Sequence, residues 1–277
     1  MTNATTRVVV HLSDLHFGRE DRCVVAALID EIARLSPSLV AVSGDLTQRA
    51  RRSQFSRARA FLEALPCPRL VVPGNHDVPL FNLVARLLDP LGGYRRAITS
   101  DLQPVFMDDM LAVIGMDTTE PSRVKAGRIP ATELDRVRDL LRNTDHDVIK
   151  IFVGHHPFEL GDEGHKSGGS QDAPERRPAV SALEALVGAG IDAFLTGHLH
   201  VSYTGHTAHR YNIAGRSAIV IEAGTATSTR LRENANAFNV LRIARNAIIV
   251  ERHQWQRDGF SVVDSQSFRR TDAGWAV

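Results

Sequence analysis

The sequence predicts an α/β protein built around parallel strands, and three observations support this. Short apolar runs at 8–10, 39–42 and 70–72 alternate with helical patterns at 22–35 and about 53–65. Strands that alternate with helices are typical of parallel sheets with crossover helices. Each apolar run ends in polar residues, and the second half of the chain adds further strands. An open α/β sheet with a polar site at its strand ends is therefore expected.

The helices are predicted from apolar residues that recur at helical spacing. In the first helix, Arg22 to Leu35, one face carries Val25, Leu28, Ile29, Ile32 and Leu35. Pro37 cannot continue a helix, so it ends this one. Three further helices are predicted at about Ser53–Leu65, about Thr132–Leu141 and Leu183–Val187.

The second half begins with a predicted β-hairpin, followed by strands that run almost to the end of the chain. The hairpin pairs Val105–Phe106 with Leu111–Met116, and the strands are Val148–Val153, Ala193–Leu195, Ala218–Ile221, Phe238–Ile243, Ala247–Arg252 and Phe260–Val263. No internal repeat or low-complexity linker interrupts this pattern, so we expect one domain over 1–277. The loop 158–178 is rich in glycine and proline, and we interpret it as a lid or binding loop. The alternative is a surface excursion without a function.

Composition excludes several classes of protein. Of 277 residues, 43% are hydrophobic and 23% are charged, which is typical of a globular protein rather than a disordered one. The net charge of +1 gives no global field that would attract a nucleic acid polymer. Cys23 and Cys67 cannot form a disulfide framework, and no apolar run is long enough to cross a bilayer. Because the residues from Met1 to Thr6 do not resemble a secretion signal, we expect a cytoplasmic protein.

Five polar motifs follow five predicted strands and suggest a metal centre. They are Asp14-x-His16, Gly44-Asp45, Gly74-Asn75-His76-Asp77, Gly154-His155-His156 and Gly197-His198-Leu199-His200. A Gly-His-x-His pattern alone is expected about 0.04 times by chance at this composition. Carboxylate, imidazole and amide ligands suit Mn, Fe or Zn, and Co is also compatible. A single zinc needs about four ligands, so the surplus indicates two metals that share a carboxylate, as in hydrolysis at phosphorus.

The order of these motifs resembles the calcineurin-like metallophosphoesterase family, over Val8 to about Ile243. The resemblance implies a four-layer α/β/β/α sandwich with the dinuclear site at the strand ends. The segment Gly154-His155-His156-Pro157 is most similar to bacterial class III cyclic nucleotide phosphodiesterases and their glycerophosphodiesterase relatives. Phe158 departs from the pattern of that group, because many of its members have a Pro-Pro pair where this chain has Pro157-Phe158.

The resemblance also implies a role for each motif residue. Asp14, His16, Asp45 and His200 would hold one metal, and Asp45, Asn75, His155 and His198 the other. His155 and His156 point to opposite sides of an extended backbone, so only one is expected to face the metals, and we favour His155. His76 would lie near the phosphate without binding metal. Asp77 would either orient a site histidine or cap a helix.

The expected reaction is direct hydrolysis of a phosphodiester. A hydroxide bridging two metal ions, most plausibly Mn and/or Fe, would attack phosphorus, and His76 would assist the leaving group. A cyclic nucleotide is the first-choice substrate. The alternatives are a nucleotide-linked lipid pyrophosphate or a glycerophosphodiester, and, in another class, a non-catalytic metal-binding scaffold.

Some features remain open between a functional and an ordinary interpretation. The arginines at 49, 51, 52, 57 and 59 form either a basic rim for anionic substrates or lipid headgroups, or a solvated helix face, which we favour. His165 and Lys166 could reach a phosphate from the loop 158–178. The turn from Gly224 to Arg230 could order ligands through its hydroxyls. The resemblance suggests a homodimer. Peripheral contact with lipid is a further expected interaction.

Overall fold

Within the residues that the computed structural model describes (6–122, 127–158, 176–207, 216–229 and 235–277), the chain forms thirteen strands and six α-helices. The strands are β1 (Arg7–Leu12), β2 (Leu39–Ser43), β3 (Arg69–Val72), β4 (Val105–Met107), β5 (Leu111–Gly115), β6 (Ile149–Val153), β7 (Ala193–Thr196), β8 (Tyr203–His206), β9 (Ile219–Glu222), β10 (Ala237–Ala244), β11 (Ala247–Trp255), β12 (Phe260–Thr271) and β13 (Gly274–Ala276). The helices are α1 (Arg22–Leu35), α2 (Arg52–Ala64), α3 (Leu83–Leu88), α4 (Gly92–Ala97), α5 (Ala131–Arg142) and α6 (Arg176–Gly188).

The strands form two sheets. The first has the order β13-β12-β11-β10-β1-β2-β3, and the second has the order β4-β5-β6-β7-β9-β8. Strands β1, β2 and β3 are parallel, and so are β5, β6, β7 and β9, while the remaining pairs are antiparallel. The predicted parallel arrangement is therefore confirmed for β1, β2 and β3 at one side of the first sheet and for the four central strands of the second.

Three apolar clusters define the layers. One lies between the sheets and combines residues such as Val9 and Val72 with Leu111 and Ile151. Strands β2, β5 and β6 are buried along their whole length, because each is covered on both faces. A second cluster packs α1, α2 and α4 on the first sheet, and a third packs α5 and α6 on the second. The predicted four-layer α/β/β/α sandwich is confirmed.

Helix α1 has the predicted bounds because its sequence specifies both ends. The side chain of Asp21 accepts hydrogen bonds from the backbone N–H groups of Cys23 and Val24, which caps the first turn. Its apolar face buries Val24, Leu28 and Ile32. At the other end Ser36 adopts a left-handed conformation, with φ of 46°, and Pro37 follows.

Other predicted bounds differ from the structure. Helix α6 begins at Arg176, so the predicted loop 158–178 was too long at its C-terminal end, and its residues 159–175 lie outside the described part. Strand β12 extends eight residues beyond the predicted end at Val263. Most of that strand is exposed, so its sequence lacks an apolar face that could mark it. Helices α3 and α4 and strands β8 and β13 were not predicted, because each is too short to show a period.

In the part of the chain that the structure describes, no helix combines the length and the apolar character that a bilayer span requires.

Candidate metal centre

All five motifs lie at the C-terminal ends of parallel strands, where the two sheets meet. Strands β1, β2 and β3 of the first sheet lead to the first three motifs, and β6 and β7 of the second sheet lead to the other two. The backbones of these loops are joined directly: Asp14 N donates to Gly44 O at 3.2 Å, and Gly197 N donates to His155 O at 3.0 Å. The predicted residues Asp14, His16, Asp45, Asn75, His155, His198 and His200 are thereby brought together from distant parts of the sequence.

Five of these seven residues have a left-handed backbone, although none is a glycine. The φ angles are 53° at Asp14, 47° at His16, 53° at Asp45, 75° at His198 and 60° at His200. For residues with a Cβ this conformation costs about 1–2 kcal/mol each. Such strain persists only where the surrounding structure fixes it, and it is concentrated at functional sites. The backbone therefore marks this region as a site independently of the side-chain chemistry.

The first group of side chains comprises Asp14, His16, Asp45 and His200, all of them buried. The Nε2 atoms of His16 and His200 are 3.1 Å apart. From Asp14 Oδ1 they lie at 3.5 Å and 3.0 Å, respectively. Ligand atoms that share one ion at about 2.0–2.2 Å are separated by distances of this size. The geometry of this group suits one metal ion.

The second group comprises Asn75, His155 and His198 together with the other carboxylate oxygen of Asp45. Asn75 Oδ1 is 3.0 Å from His155 Nε2 and 3.0 Å from His198 Nδ1. His155 Nε2 is 3.4 Å from Asp45 Oδ1. These separations again suit ligands of one ion, so the residues fit a second metal.

Asp45 lies between the two groups and faces both. Its Oδ2 is 3.8 Å from His16 Nε2 in the first group, while its Oδ1 faces His155 in the second. Burial would raise the pKa of Asp45, but the neighbouring His155 outweighs this effect and lowers it. Asp45 is thus ionised, and its two oxygens are oriented as a carboxylate shared by two cations would require.

The hydrogen bonding of His155 shows that this site calls for a cation. Its Nδ1 lies 2.8 Å from the backbone oxygen of Ser43, which can only accept, so Nδ1 carries a proton. In the neutral ring, Nε2 then has no proton, and its lone pair faces Asn75 Oδ1 and Asp45 Oδ1, which also carry lone pairs. Burial opposes the charged form, but the Asp45 carboxylate raises the pKa of His155 to about 9. A proton or a metal ion at Nε2 resolves the contact between lone pairs.

A family model supports the chemical interpretation of this geometry. The calcineurin-like phosphoesterase model matches residues 7–202, which include all seven clustered residues. The chain belongs to the calcineurin-like phosphoesterase family. This result confirms the resemblance inferred from the motifs.

Individual phosphoesterases similar to this chain are bacterial. A probable cyclic nucleotide phosphodiesterase of Synechococcus sp. is 26% identical over 212 residues, covering 73% of this chain and 76% of that protein. The glycerophosphodiester phosphodiesterase GpdQ of Enterobacter lignolyticus is 35% identical over 165 residues, covering 56% of this chain and 58% of that protein.

Solved structures share the fold at low sequence identity. PhoD superimposes with a TM-score of 0.68 and 12% identity, covering 99% of this chain and 72% of its own. The purple acid phosphatase PPD1 of yellow lupin gives 0.67 and 14%, covering 96% of this chain and 54% of its own. These likenesses support the phosphoesterase fold.

His76 lies at the edge of the phosphoesterase site, beside the first group. Its ring centroid is 4.9 Å from that of His16. The Nδ1 atom lies 2.9 Å from the backbone oxygen of Gln48 and 3.2 Å from the side-chain nitrogen of the same residue. These contacts fix the ring and turn Nε2 away from Gln48. Gln48 was not predicted as a site residue.

Asp77 has a different role from the one favoured by its position in the motif. Its buried carboxylate accepts from the backbone N–H groups of Leu46, Thr47 and Gly74 at 3.1, 2.9 and 3.0 Å, and from the Thr47 hydroxyl. These groups, and no histidine, are the hydrogen-bond partners of Asp77 among the described residues, which favours the second of its two predicted roles. The capping interpretation is closer, since Asp77 closes the short turn Asn75–Asp77. It holds the loops of Asp45 and Asn75 together.

His156 lies beside His155 and not across the strand end from it, since the centroids of the two rings are 5.0 Å apart. Its Nδ1 is 2.9 Å from the hydroxyl of Thr118. Its ring centroid is 4.8 Å from that of His198, so it packs against the second group of ligands. Burial lowers the pKa of His156, and the neighbouring His155 adds to the effect. His155 contacts Asn75 and Asp45, at 3.0 Å and 3.4 Å from its Nε2, while the ring nitrogens of His155, His156 and His198 all lie within 4.8 Å of one another. The preference for His155 as the ligand stays a prediction.

Two other features flagged in the sequence have structural explanations. Within the turn that starts at Gly224, the buried hydroxyl of Thr227 donates to the backbone oxygen of Leu15 at 2.7 Å, between Asp14 and His16. The turn thus supports a ligand-bearing loop. Arg57 and Arg59 form ion pairs with Glu20 and Glu63 on the surface of α2. Arg230, His165 and Lys166 lie outside the described residues.

Proposed function

We propose that this chain is a dinuclear, metal-dependent phosphodiesterase. The observation that carries the proposal is the position of Asp45, whose two oxygens face two separate groups of buried ligands. When bound, two cations at these groups would supply a hydroxide near neutral pH and neutralise charge at phosphorus. Mn and/or Fe are the preferred ions, with Zn or Co as alternatives, because the oxygen and imidazole donors accept all four.

The residues of the chain would divide the remaining tasks. Asp14, His16 and His200 would hold one ion, and Asn75, His155 and His198 the other, with Asp45 shared. His76, fixed through Nδ1 by Gln48, would donate a proton from Nε2 to the leaving oxygen. General acid catalysis of this kind contributes about 10²–10⁴-fold. His76→Ala should therefore lower kcat for a diester with a poor leaving group far more than for one with a good leaving group.

Turnover of bis(p-nitrophenyl) phosphate after reconstitution with Mn tests the function. The wild type should hydrolyse the ester and bind two ions per chain, while Asp45→Ala should lose turnover and most of the bound metal. Asp101→Ala, at an exposed carboxylate, serves as the control for an unrelated loss of charge. A fully metal-loaded wild type without turnover of any phosphoester would contradict the proposal and favour the non-catalytic scaffold.

A cyclic nucleotide is the first substrate to test, since the Synechococcus relative is named for this activity. A glycerophosphodiester is the second candidate, supported by the 35% identity to GpdQ over 165 residues. A nucleotide-linked lipid pyrophosphate is a third. Release of nucleoside monophosphate or glycerol phosphate from equal concentrations of each compound ranks them by kcat/KM. Greater turnover of the glycerophosphodiester would overturn the cyclic nucleotide assignment and leave the two-metal chemistry intact.

Three further expectations belong to this proposal. The chain is expected to act as one domain, to work in the cytoplasm and to form a homodimer. Limited proteolysis, fractionation of cells and light scattering test them in turn.

A further inference from the structure

An exposed apolar surface lies just after the His76 motif. It consists of Phe81, Leu83, Val84, Leu87 and Leu88, which we call the apolar ridge. The exposed fractions of these residues are 65–81%, and α3, which contains four of them, buries none of its residues. Isolated apolar residues on a surface are ordinary, but contiguous ones mark a contact with another apolar phase.

The polarity of α3 is reversed relative to a helix that faces water. Its one charged side chain, Arg86, is turned toward the protein, where Nε donates to Pro121 O at 2.7 Å and Nη1 donates to Pro79 O at 3.2 Å. At its start, the Asn82 side chain accepts from Ala85 N at 3.0 Å. These bonds fix α3 with its leucines outward. A surface helix normally directs apolar residues to the core and charges to solvent.

The apolar ridge is next to the mouth of the metal centre. The guanidinium carbon of Arg49 lies 5.2 Å from the centroid of the Phe81 ring. The preceding residue, Gln48, contacts His76 through its backbone oxygen. Gln48 contacts His76 in the site, and Arg49 contacts Phe81 in the ridge. These two residues are consecutive, so their Cα atoms are only about 3.8 Å apart.

Positive charge lies beside the ridge at Arg49, and two further arginines follow it closely in the sequence. Arg49, Arg51 and Arg52 are exposed and form no ion pair with any of the described residues. Farther along the same helix, Arg57 and Arg59 do have acidic partners. Asp89, which follows α3, is neutralised by two arginines of α4. The ridge thus has one cation in contact with Phe81, and two more exposed arginines lie two and three residues farther along the chain.

We propose that this surface docks the protein on a bilayer that contains anionic lipids. The side chains of the ridge would enter the boundary between headgroups and acyl chains, and the three arginines would contact lipid phosphates. A second copy of the chain suits the surface less well. An isologous interface around the ridge would bring the arginines of both copies close to the same contact, and within the described residues neither set has an acidic partner. A bilayer supplies both the apolar phase and the negative charge.

Flotation of the Mn-loaded protein with vesicles tests the proposal. The wild type should bind vesicles of phosphatidylcholine with about one-third phosphatidylglycerol, and binding should weaken with salt and with phosphatidylcholine alone. Leu87→Ser with Leu88→Ser should weaken binding at least about tenfold, because two leucines no longer enter the apolar phase. Arg51→Ala and Arg52→Ala should each weaken it about fivefold.

Matched variants elsewhere serve as controls. Val262→Ser with Val263→Ser removes two exposed apolar side chains of β12, and Arg59→Ala removes a paired arginine of α2. Neither should change vesicle binding. All of these variants should hydrolyse bis(p-nitrophenyl) phosphate at the wild-type rate, because the residues lie outside the metal centre.

Two outcomes would overturn the docking proposal. One is that the wild type does not bind anionic vesicles, or that the leucine variants bind as well as the wild type does. The other is a wild-type dimer that the leucine variants dissociate without any vesicle binding, which would make the ridge a contact between copies. Hydrolysis of the soluble ester is measured separately, so failure of docking and failure of the phosphodiesterase function are distinguishable.

Discussion

Replacing Gly44 by alanine tests how tightly the loops of the metal centre are interlocked. Gly44 has a φ of 92°, and a Cβ built on it would lie 2.8 Å from His155 Nδ1 and 2.9 Å from Gly74 N. Ordinary contacts of a Cβ begin at 3.4 Å, so the neighbours must move by about half an ångström. The displaced groups are the histidine ring that hydrogen-bonds to Ser43 and the turn that carries Asn75.

Two contributions to the expected loss of stability can be separated by a control. The left-handed conformation costs a residue with a Cβ about 1–2 kcal/mol. Overlap with packed neighbours adds about 1–3 kcal/mol. Gly190 provides the control, since its φ is 103° but a Cβ there would meet only Lys150 Cδ, at 3.8 Å. Gly190→Ala should therefore lose about 1–2 kcal/mol, and Gly44→Ala about 2–5 kcal/mol.

Urea denaturation, metal content and kcat would be measured for both variants. Gly44→Ala should lose metal preferentially from the group of Asn75, His155 and His198 and lose roughly tenfold or more in kcat, since catalysis is sensitive to small misplacements. Gly190→Ala should keep two ions and wild-type turnover. Equal stability, metal content and turnover in the two variants would show that the close approach of Gly44 to His155 and Gly74 does not matter for metal binding or catalysis.

Three further predictions concern the support of the site and of the sandwich. Thr227→Val removes the hydrogen bond to Leu15 O; unfolding should become easier by about 1 kcal/mol and metal affinity should fall, whereas unchanged affinity in calorimetry would deny the turn a positioning role. Asp192→Ala removes a buried carboxylate that accepts from two arginines, a backbone amide and an indole; it should lose about 3–5 kcal/mol in denaturant titration with little change in kcat at low temperature. Burial works to raise the pKa of Asp108, but the hydrogen bond and charge of Arg7, together with the backbone N–H groups of Met110 and Leu111, outweigh it and lower this pKa. The ion pair should thus stabilise the fold above about pH 4 and lose its contribution as pH falls through the lowered pKa, so Asp108→Asn should flatten the acid limb of the stability curve.

The placement of the motifs at strand ends could be predicted from the residues themselves, whereas the four layers followed from the family resemblance. Residues such as Val42 and Val153 occur in short apolar runs that are buried on both faces, and each run leads into a motif. The strand order within the two sheets, which brings the motifs together, was not predicted. Helix α1 was predicted to the residue because its cap, its apolar period and its terminating proline all agree.

The features that could not be predicted from the sequence depend on backbone contacts and on exposure. The contacts of His155 and His76 with the backbone oxygens of Ser43 and Gln48 leave no trace in a pattern of side chains. Two roles stayed open for Asp77, because a motif does not reveal which N–H groups will surround an oxygen. Helix α3 was not predicted, since its six residues cover less than two turns.

The left-handed backbone of the metal centre limits how this site can be transferred to another protein. Asp14, Asp45 and His200 leave the chain in directions that a regular strand end does not offer, because their φ angles are positive. Grafting the seven side chains onto an idealised scaffold would therefore misdirect most of them, even with every residue type correct. The transferable unit is the set of loops with their handedness, including the close approach at Gly44, and a designer would have to copy the backbone before the ligands.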